Sequence, residues 1–252
     1  MATAVSLSFS RALLHTSAPR SSFHRRVSVS GAGSPLPDAR RLCRRSLAVS
    51  AAAGAPPLDA GTTAWDALGG VSVFAAGTGD AVPLRDLWDP SEGVVVVALL
   101  RHFGCFCCWE LASDLKKSMP KFESAGAKLI AIGVGTSDKA RILADGLPFP
   151  VDSLYADPER KAYDVLGLYH GLGRTLFSPA SAKIYSRLDS IKEATKNYTL
   201  KGTPADLTGV MQQGGMFVFK GKQLVYAWRD EGTGDHAPLD DVLRMCRQVP
   251  IA

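Results

Sequence analysis

Three of the chain's five cysteines fall within four residues, Cys105-Phe106-Cys107-Cys108, and the outer two keep a Cys-x-x-Cys spacing. The unbroken apolar run Val94 to Leu100 precedes them and has the length of a strand covered on both faces. A helical pattern follows from Trp109. Thiols at such a strand-to-helix junction meet the unpaired N–H groups and positive dipole end of a helix start. That setting lowers a cysteine pKa from about 8.5 to roughly 3.5–7.5, and the thiolate is the nucleophile. Cys105 and Cys108, three apart, share a face and can close and reopen a short disulfide. Redox chemistry is what this spacing serves.

A Cys-x-x-Cys is also half of a structural zinc site, which needs a second ligand pair. Cys43 and Cys246 are isolated, and His15, His24, His102, His170 and His236 form no spaced pair. The pattern therefore assigns no metal ligand. On a regular helix start Cys107 points away from the Cys105/Cys108 face, where overoxidation or a mixed disulfide is its redox role. Arg101 and His102 precede the motif and either support a thiolate electrostatically or form a solvent-facing strand end. Trp109 reads as packing surface, and Glu110 as a complement to the helix N-terminus.

The basic character of the chain resides in its first fifty residues. They hold eight Arg, no Lys, eleven Ser and the single acid Asp38. An Arg- and Ser-rich, acid-poor leader without a long apolar run reads as an organelle transit peptide. Val49-Ser50-Ala51-Ala52 resembles a chloroplast processing site, so residues 1–51 are expected to be a disordered transit peptide and the stroma the expected compartment. Residues 52–64, rich in Ala, Pro and Gly, read as a flexible lead-in. Of the 29 basic and 24 acidic residues, 21 and 23 lie beyond position 50, so the remainder is slightly acidic. The basic pI thus points to no nucleic acid partner. No apolar run approaches the roughly 20 residues of a membrane-spanning helix, so no membrane insertion is expected.

Positioning the cysteines falls to one domain, residues 65–249, of alternating strands and helices. Val71–Phe74 and Val82–Trp88 read as an edge hairpin with a short helical turn. Helix 109–125 is expected to kink at Pro120 and end at Gly126. Lys128–Val134 is the next strand, and Ser137 caps a helix through Leu143. Gly215–Phe219 and Gln223–Trp228 form a hairpin. A last helix starts near Pro238, with Leu239, Val242, Leu243 and Cys246 on its core face. Residues 170–205 read as an insertion. Its helix starts at Ser178-Pro179, places Ile184, Leu188 and Ile191 on one face, and turns Lys183, Arg187, Lys192 and Lys196 to solvent.

This order is the layout of a thioredoxin-like fold: a central mixed sheet flanked by helices, with a helical insertion. The string Leu100-Arg101-His102-Phe103-Gly104-Cys105-Phe106-Cys107-Cys108 resembles the peroxiredoxin-like 2 family of AhpC/TSA-type antioxidant proteins, which includes prostamide/prostaglandin F synthase. Ser153–Pro158 with Tyr163–Leu168, Gln213–Val218 and Gly234–Pro238 agree with it in order. The resemblance spans roughly residues 68–247.

It implies a Cys105/Cys108 pair that reduces a peroxide or disulfide with electrons from an external thiol donor, such as a thioredoxin-type protein, and without a bound cofactor. The peroxiredoxin alignment makes Cys108 the attacking thiolate and Cys105 its partner; a thioredoxin alignment reverses them. Three positions depart from the related patterns. Cys105 stands where peroxiredoxins place a threonine or serine, Gln212 and Gln213 where they place an arginine, and Gly214-Gly215 where thioredoxins place a cis-proline. The prostaglandin substrate does not follow from the motif, because substrate choice lies in pocket residues. A non-enzymatic redox sensor or regulatory binding module is the alternative reading.

Overall fold

The computed structural model describes residues 63–91 and 93–248. The proposed leader, Cys43 and nearly all of the lead-in lie outside the described residues. Seven strands form one mixed sheet in the order β2-β1-β5-β4-β3-β6-β7. They are β1 (Ser72–Ala75), β2 (Ala81–Pro83), β3 (Val94–His102), β4 (Ala127–Val134), β5 (Leu154–Ala156), β6 (Gly215–Lys220) and β7 (Gln223–Arg229). β3, β4 and β5 run parallel, while β6 pairs antiparallel with β3 and starts the β6–β7 hairpin. Every residue of β3 is buried, as its apolar run requires of a strand covered on both faces.

Alternation along β3 divides the core. Val94, Val96, Ala98 and Leu100 face helices α2 (Phe106–Ser124), α3 (Ser137–Gly146) and α8 (Leu239–Gln248). Val95, Val97 and Leu99 face the opposite layer, which includes α1 (Ala64–Ala67) and α4 (Lys161–Val165). This three-layer arrangement is a thioredoxin-like α/β fold. Between α4 and β6 lie α5 (Leu172–Phe177), a 3-10 segment (Pro179–Arg187), α6 (Leu188–Ala194) and α7 (Leu207–Val210).

Several boundaries differ from expectation. Cys105 has extended backbone angles, and its carbonyl accepts the N–H groups of Cys108 and Trp109. The helix therefore begins at Phe106, three residues early, with Cys105 as its N-cap. Pro120 lies inside α2, which continues to Ser124 despite the missing N–H at that position. Thr136, not Ser137, precedes α3, and that helix continues past Leu143 to Gly146. The insertion departs most. Ser178 does cap its start, its hydroxyl accepting the Ala180 N–H. Nine residues of 3-10 winding, at about three residues per turn, then shift the phase of the apolar face. Ile191 is buried, but Leu188 is exposed.

Candidate redox site

The turn Phe103-Gly104 carries the chain from β3 into α2. Its two carbonyls accept from Trp109 Nε1 (2.7 Å) and Tyr198 Oη (2.7 Å). Trp109 is fully buried, as packing. The insertion closes over this turn by backbone contact. A Cβ on Gly104 would sit 2.4 Å from the Thr203 nitrogen, and one on Gly202 would sit 2.7 Å from the Phe103 carbonyl oxygen. Only glycine at both positions allows that approach.

Beneath it the three thiols converge. Cys105 is 4% exposed, and Cys107 and Cys108 are inaccessible. All are free thiols. Cys107 does not point away from the pair: its thiol, like that of Cys108, acts on the ionisation of Cys105. The expectation failed because it placed Cys105 on a regular helix, whereas the extended N-cap swings its side chain across the first turn. The neighbouring Cys107 and Cys108 thiols, and after them the Arg101 guanidinium, hold the Cys105 thiol well below its ordinary value despite burial. Cys107 moves the other way, chiefly because its S–H serves the Cys105 sulfur, and Cys108 moves upward chiefly by burial. Of the three thiols, Cys105 is the one whose ionisation is favoured.

Arg101 is buried and serves both ends of the pair. Its backbone N–H donates to Cys108 Sγ (3.2 Å), and its Nη1 lies 3.5 Å from Cys105 Sγ. Nε and Nη2 donate to the carbonyls of Gln212 (3.0 Å) and Val210 (2.9 Å), which fix the guanidinium plane. The pairing of β3 with β4 shifts register between Leu100 and His102, and such a bulge re-aims side chains. Tyr163 Oη bridges the carbonyls of Leu100 (2.5 Å) and Ile132 (3.1 Å) at this point. The cation that the segment before Gly214 lacks in sequence thus comes from β3. His102 is also buried, and burial lowers its pKa. It is neutral rather than a second cation, and neither residue faces solvent.

A family profile described as AhpC/TSA antioxidant enzyme matches residues 114–232, which begin after the cysteine motif. Over 211 residues, 81% of the chain and 82% of the relative, the sequence is 32% identical to the chloroplastic thioredoxin-like protein AAED1 of Arabidopsis thaliana. The chain belongs to the AhpC/TSA antioxidant enzyme family. This AhpC/TSA protein is also 29% identical to prostamide/prostaglandin F synthase of Bos taurus over 170 residues, 66% of the chain and 80% of that relative. The peroxidoxin BcpB of Mycobacterium tuberculosis superposes with a TM-score of 0.49 at 16% identity, covering 71% of the chain and 93% of that structure. The fold assignment rests on the sheet topology and not on that superposition.

Three neighbours of the AhpC/TSA cysteine motif were not legible as such. Glu110 does not complement the helix start; it is buried, with Oε1 3.2 Å from Arg187 Nε. Burial raises its carboxyl pKa, against the pull of Arg187. Lys183 likewise pairs with buried Asp235 at 2.5 Å, so two of the four supposedly solvated cations of the insertion instead tie it to the domain. The third neighbour is His236, whose Nε2 lies 3.1 Å from the Cys107 carbonyl oxygen. Its sequence signal, a histidine in the turn before the last helix, carries no hint of a contact 129 residues away. Among the described residues, no group of three His, Cys, Asp or Glu side chains could hold a metal ion.

Proposed function

We propose that this chain is a chloroplast thiol oxidoreductase of the peroxiredoxin-like type, in which Cys105 attacks and Cys108 resolves. The observation that carries the reading is the buried Arg101 guanidinium, Nη1 3.5 Å from Cys105 Sγ, beside two neighbouring thiols that also favour the Cys105 thiolate. It favours the thioredoxin-like order of roles over the peroxiredoxin alignment. In the first step the Cys105 thiolate attacks the terminal oxygen of a hydroperoxide and the O–O bond breaks. The alkoxide leaves as the alcohol with a proton from the Cys107 thiol, and Cys105 becomes a sulfenic acid. Cys108 then attacks the Cys105 sulfur, its own thiol proton leaves with the displaced hydroxide as water, and a Cys105–Cys108 disulfide forms. An external dithiol, such as a thioredoxin-type protein, returns two electrons and two protons by exchange. No bound cofactor enters this cycle. The chloroplast assignment draws on the Arg- and Ser-rich leader and on the chloroplastic relative, and the stroma is its simplest location.

One observation favours a second reading, a redox sensor that is oxidised once per signal. All three thiols are nearly inaccessible in the closed arrangement. The test is peroxide consumption by the reduced protein with a thioredoxin reducing system, followed by mass spectrometry of the oxidised chain. Multiple turnovers with a Cys105–Cys108 link support the enzyme. Oxidation limited to one equivalent supports the sensor, and loss of the link with Cys105 unmodified rejects the assignment of Cys105.

A further inference from the structure

His236 sits between two acceptors. Its Nδ1 lies 3.1 Å from Asp230 Oδ2, and its Nε2 lies 3.1 Å from the carbonyl oxygen of Cys107. The side chains of His236 and Asp230 are 8% and 3% exposed, so water does not substitute for either partner. A neutral imidazole has one N–H and cannot serve both. If the proton were on Nδ1, two lone pairs would face each other across 3.1 Å at Nε2. If it were on Nε2, a bare nitrogen would face the carboxylate. Two protons are needed along the line from Asp230 to Cys107, and the basicity order of imidazole and carboxylate puts both on the ring.

We propose that Asp230 and His236 form a buried carboxylate–imidazolium pair that braces the first turn of α2 and supplies, after Arg101, the second fixed positive charge of the redox site. The proposal rests on the reading of Cys105 as the attacking thiolate. His236 is a positioning residue in it and touches no reacting atom. The charges around the pair come from every element packed on it. Asp230 beyond β7, Cys105 at the N-cap of α2 and Glu110 within that helix favour the imidazolium, while Arg187 of the insertion opposes it. Burial raises the Asp230 carboxyl and Asp235, in the same turn as His236, adds to that, while His236 itself and Arg101 of β3 oppose it. Burial alone would neutralise the ring, yet its pKa lies above the ordinary histidine value. The anionic partners prevail.

Such a brace couples two ionisations. A thiolate at Cys105 favours the proton on His236, and by linkage that proton favours the thiolate equally. Oxidation to a disulfide removes the anion and weakens the hold on the proton. Reduction therefore takes up part of a proton at a site that touches neither redox sulfur.

The experiment uses the full chain, reduced and oxidised, with nitrogen-resolved NMR of the His236 ring. A second arm measures the pH profile of Cys105 alkylation by iodoacetamide, located by peptide mass spectrometry. In the reduced protein the His236 ring should carry two protons at pH 7, and its titration midpoint should fall on oxidation. In His236→Gln, which keeps an N–H for the Cys107 carbonyl but no charge, Cys105 alkylation below its midpoint should slow about tenfold. Asp230→Asn should slow it similarly. A singly protonated ring in the reduced protein at pH 7, or a ring titration unmoved by oxidation, overturns the proposal, and neither result depends on a variant folding. An unchanged alkylation profile in folded His236→Gln also overturns it. Preferential alkylation of Cys108 at low pH would sink the Cys105 reading instead, leaving the ring measurement to judge the pair.

Discussion

Arg101 holds the two cysteines of the motif by different parts of one residue: its backbone N–H meets Cys108 Sγ at 3.2 Å, and its guanidinium reaches Cys105 Sγ at 3.5 Å. The backbone contact survives any substitution other than proline. The side-chain contact does not. A variant at this position therefore separates the electrostatics of Cys105 from the placement of Cys108.

Arg101→Met should raise the pH midpoint of Cys105 alkylation by about one unit, which lowers its rate below that midpoint about tenfold. The Cys105–Cys108 disulfide should still form under oxidant. The carbonyls of Gln212 and Val210 lose their donors, so the variant should also unfold at lower urea, by roughly 1–3 kcal/mol. An alkylation profile identical to wild type would show that the guanidinium does not act on Cys105.

Cys107 should respond to chemistry rather than to size. Cys107→Ser keeps a donor to the Cys105 thiolate and should keep most of its reactivity. Cys107→Ala removes the donor and should raise the alkylation midpoint of Cys105. Equal midpoints in the two variants would mean that the Cys107 hydrogen bond does not hold the thiolate.

The stability of the reduced protein should carry a cysteine signature with pH. Cys105 is depressed in the fold, so its contribution is fully present above the unfolded value of about 8.5 and is lost as pH falls through its folded value. Cys107 and Cys108 are raised, so theirs is present below about 8.5 and is lost as pH rises past it. Urea unfolding of wild type against Cys105→Ala, under reductant from pH 5 to 9, should show a difference that grows with pH until about 8.5. A difference that shrinks over that range would contradict a low Cys105 value.

The Glu110–Arg187 pair fastens the insertion to α2. Arg187→Met alone leaves a buried carboxylate uncompensated and should cost about 3 kcal/mol, the lower end for buried pairs because the arginine is partly exposed. The double variant Glu110→Gln/Arg187→Met should recover most of that loss. Strict additivity in the double-mutant cycle would argue against a functional pair.

The sheet was legible because its signals are local and repetitive. The Val94–Leu100 run, the Lys128–Val134 strand and the turn at Lys220-Gly221-Lys222 each carry their assignment in adjacent residues. The periodicity of the last helix likewise placed Cys246 correctly, and burial there lifts its thiol to about 11. The site was legible only in part. Cys105 and Cys108 announce themselves by spacing, but the direction of Cys107 depends on one extended N-cap residue that no spacing rule encodes. The carbonyls that anchor the Arg101 guanidinium, and the Cys107 carbonyl that His236 meets, lie more than a hundred residues away in sequence, and nothing periodic links them. The solvated-face reading of Lys183 and Arg187 failed for a related reason. Charge on a helix face is usually wet, and these two meet carboxylates buried by a different part of the chain.

The contact between Gly104 and Gly202 joins the insertion to the residue that precedes Cys105. Lifting the insertion would therefore pull on the turn that sets Cys105 at the helix N-cap. On the proposed role of Cys105, access and nucleophilicity would be mechanically linked, with opposite preferences. A small oxidant that slips in by brief local fluctuation meets the sulfur in its activated setting, whereas a bulky protein disulfide must first unseat the cover and so meets a sulfur partly stripped of its supports. One cysteine would then discriminate between oxidants by their bulk, with no separate specificity pocket.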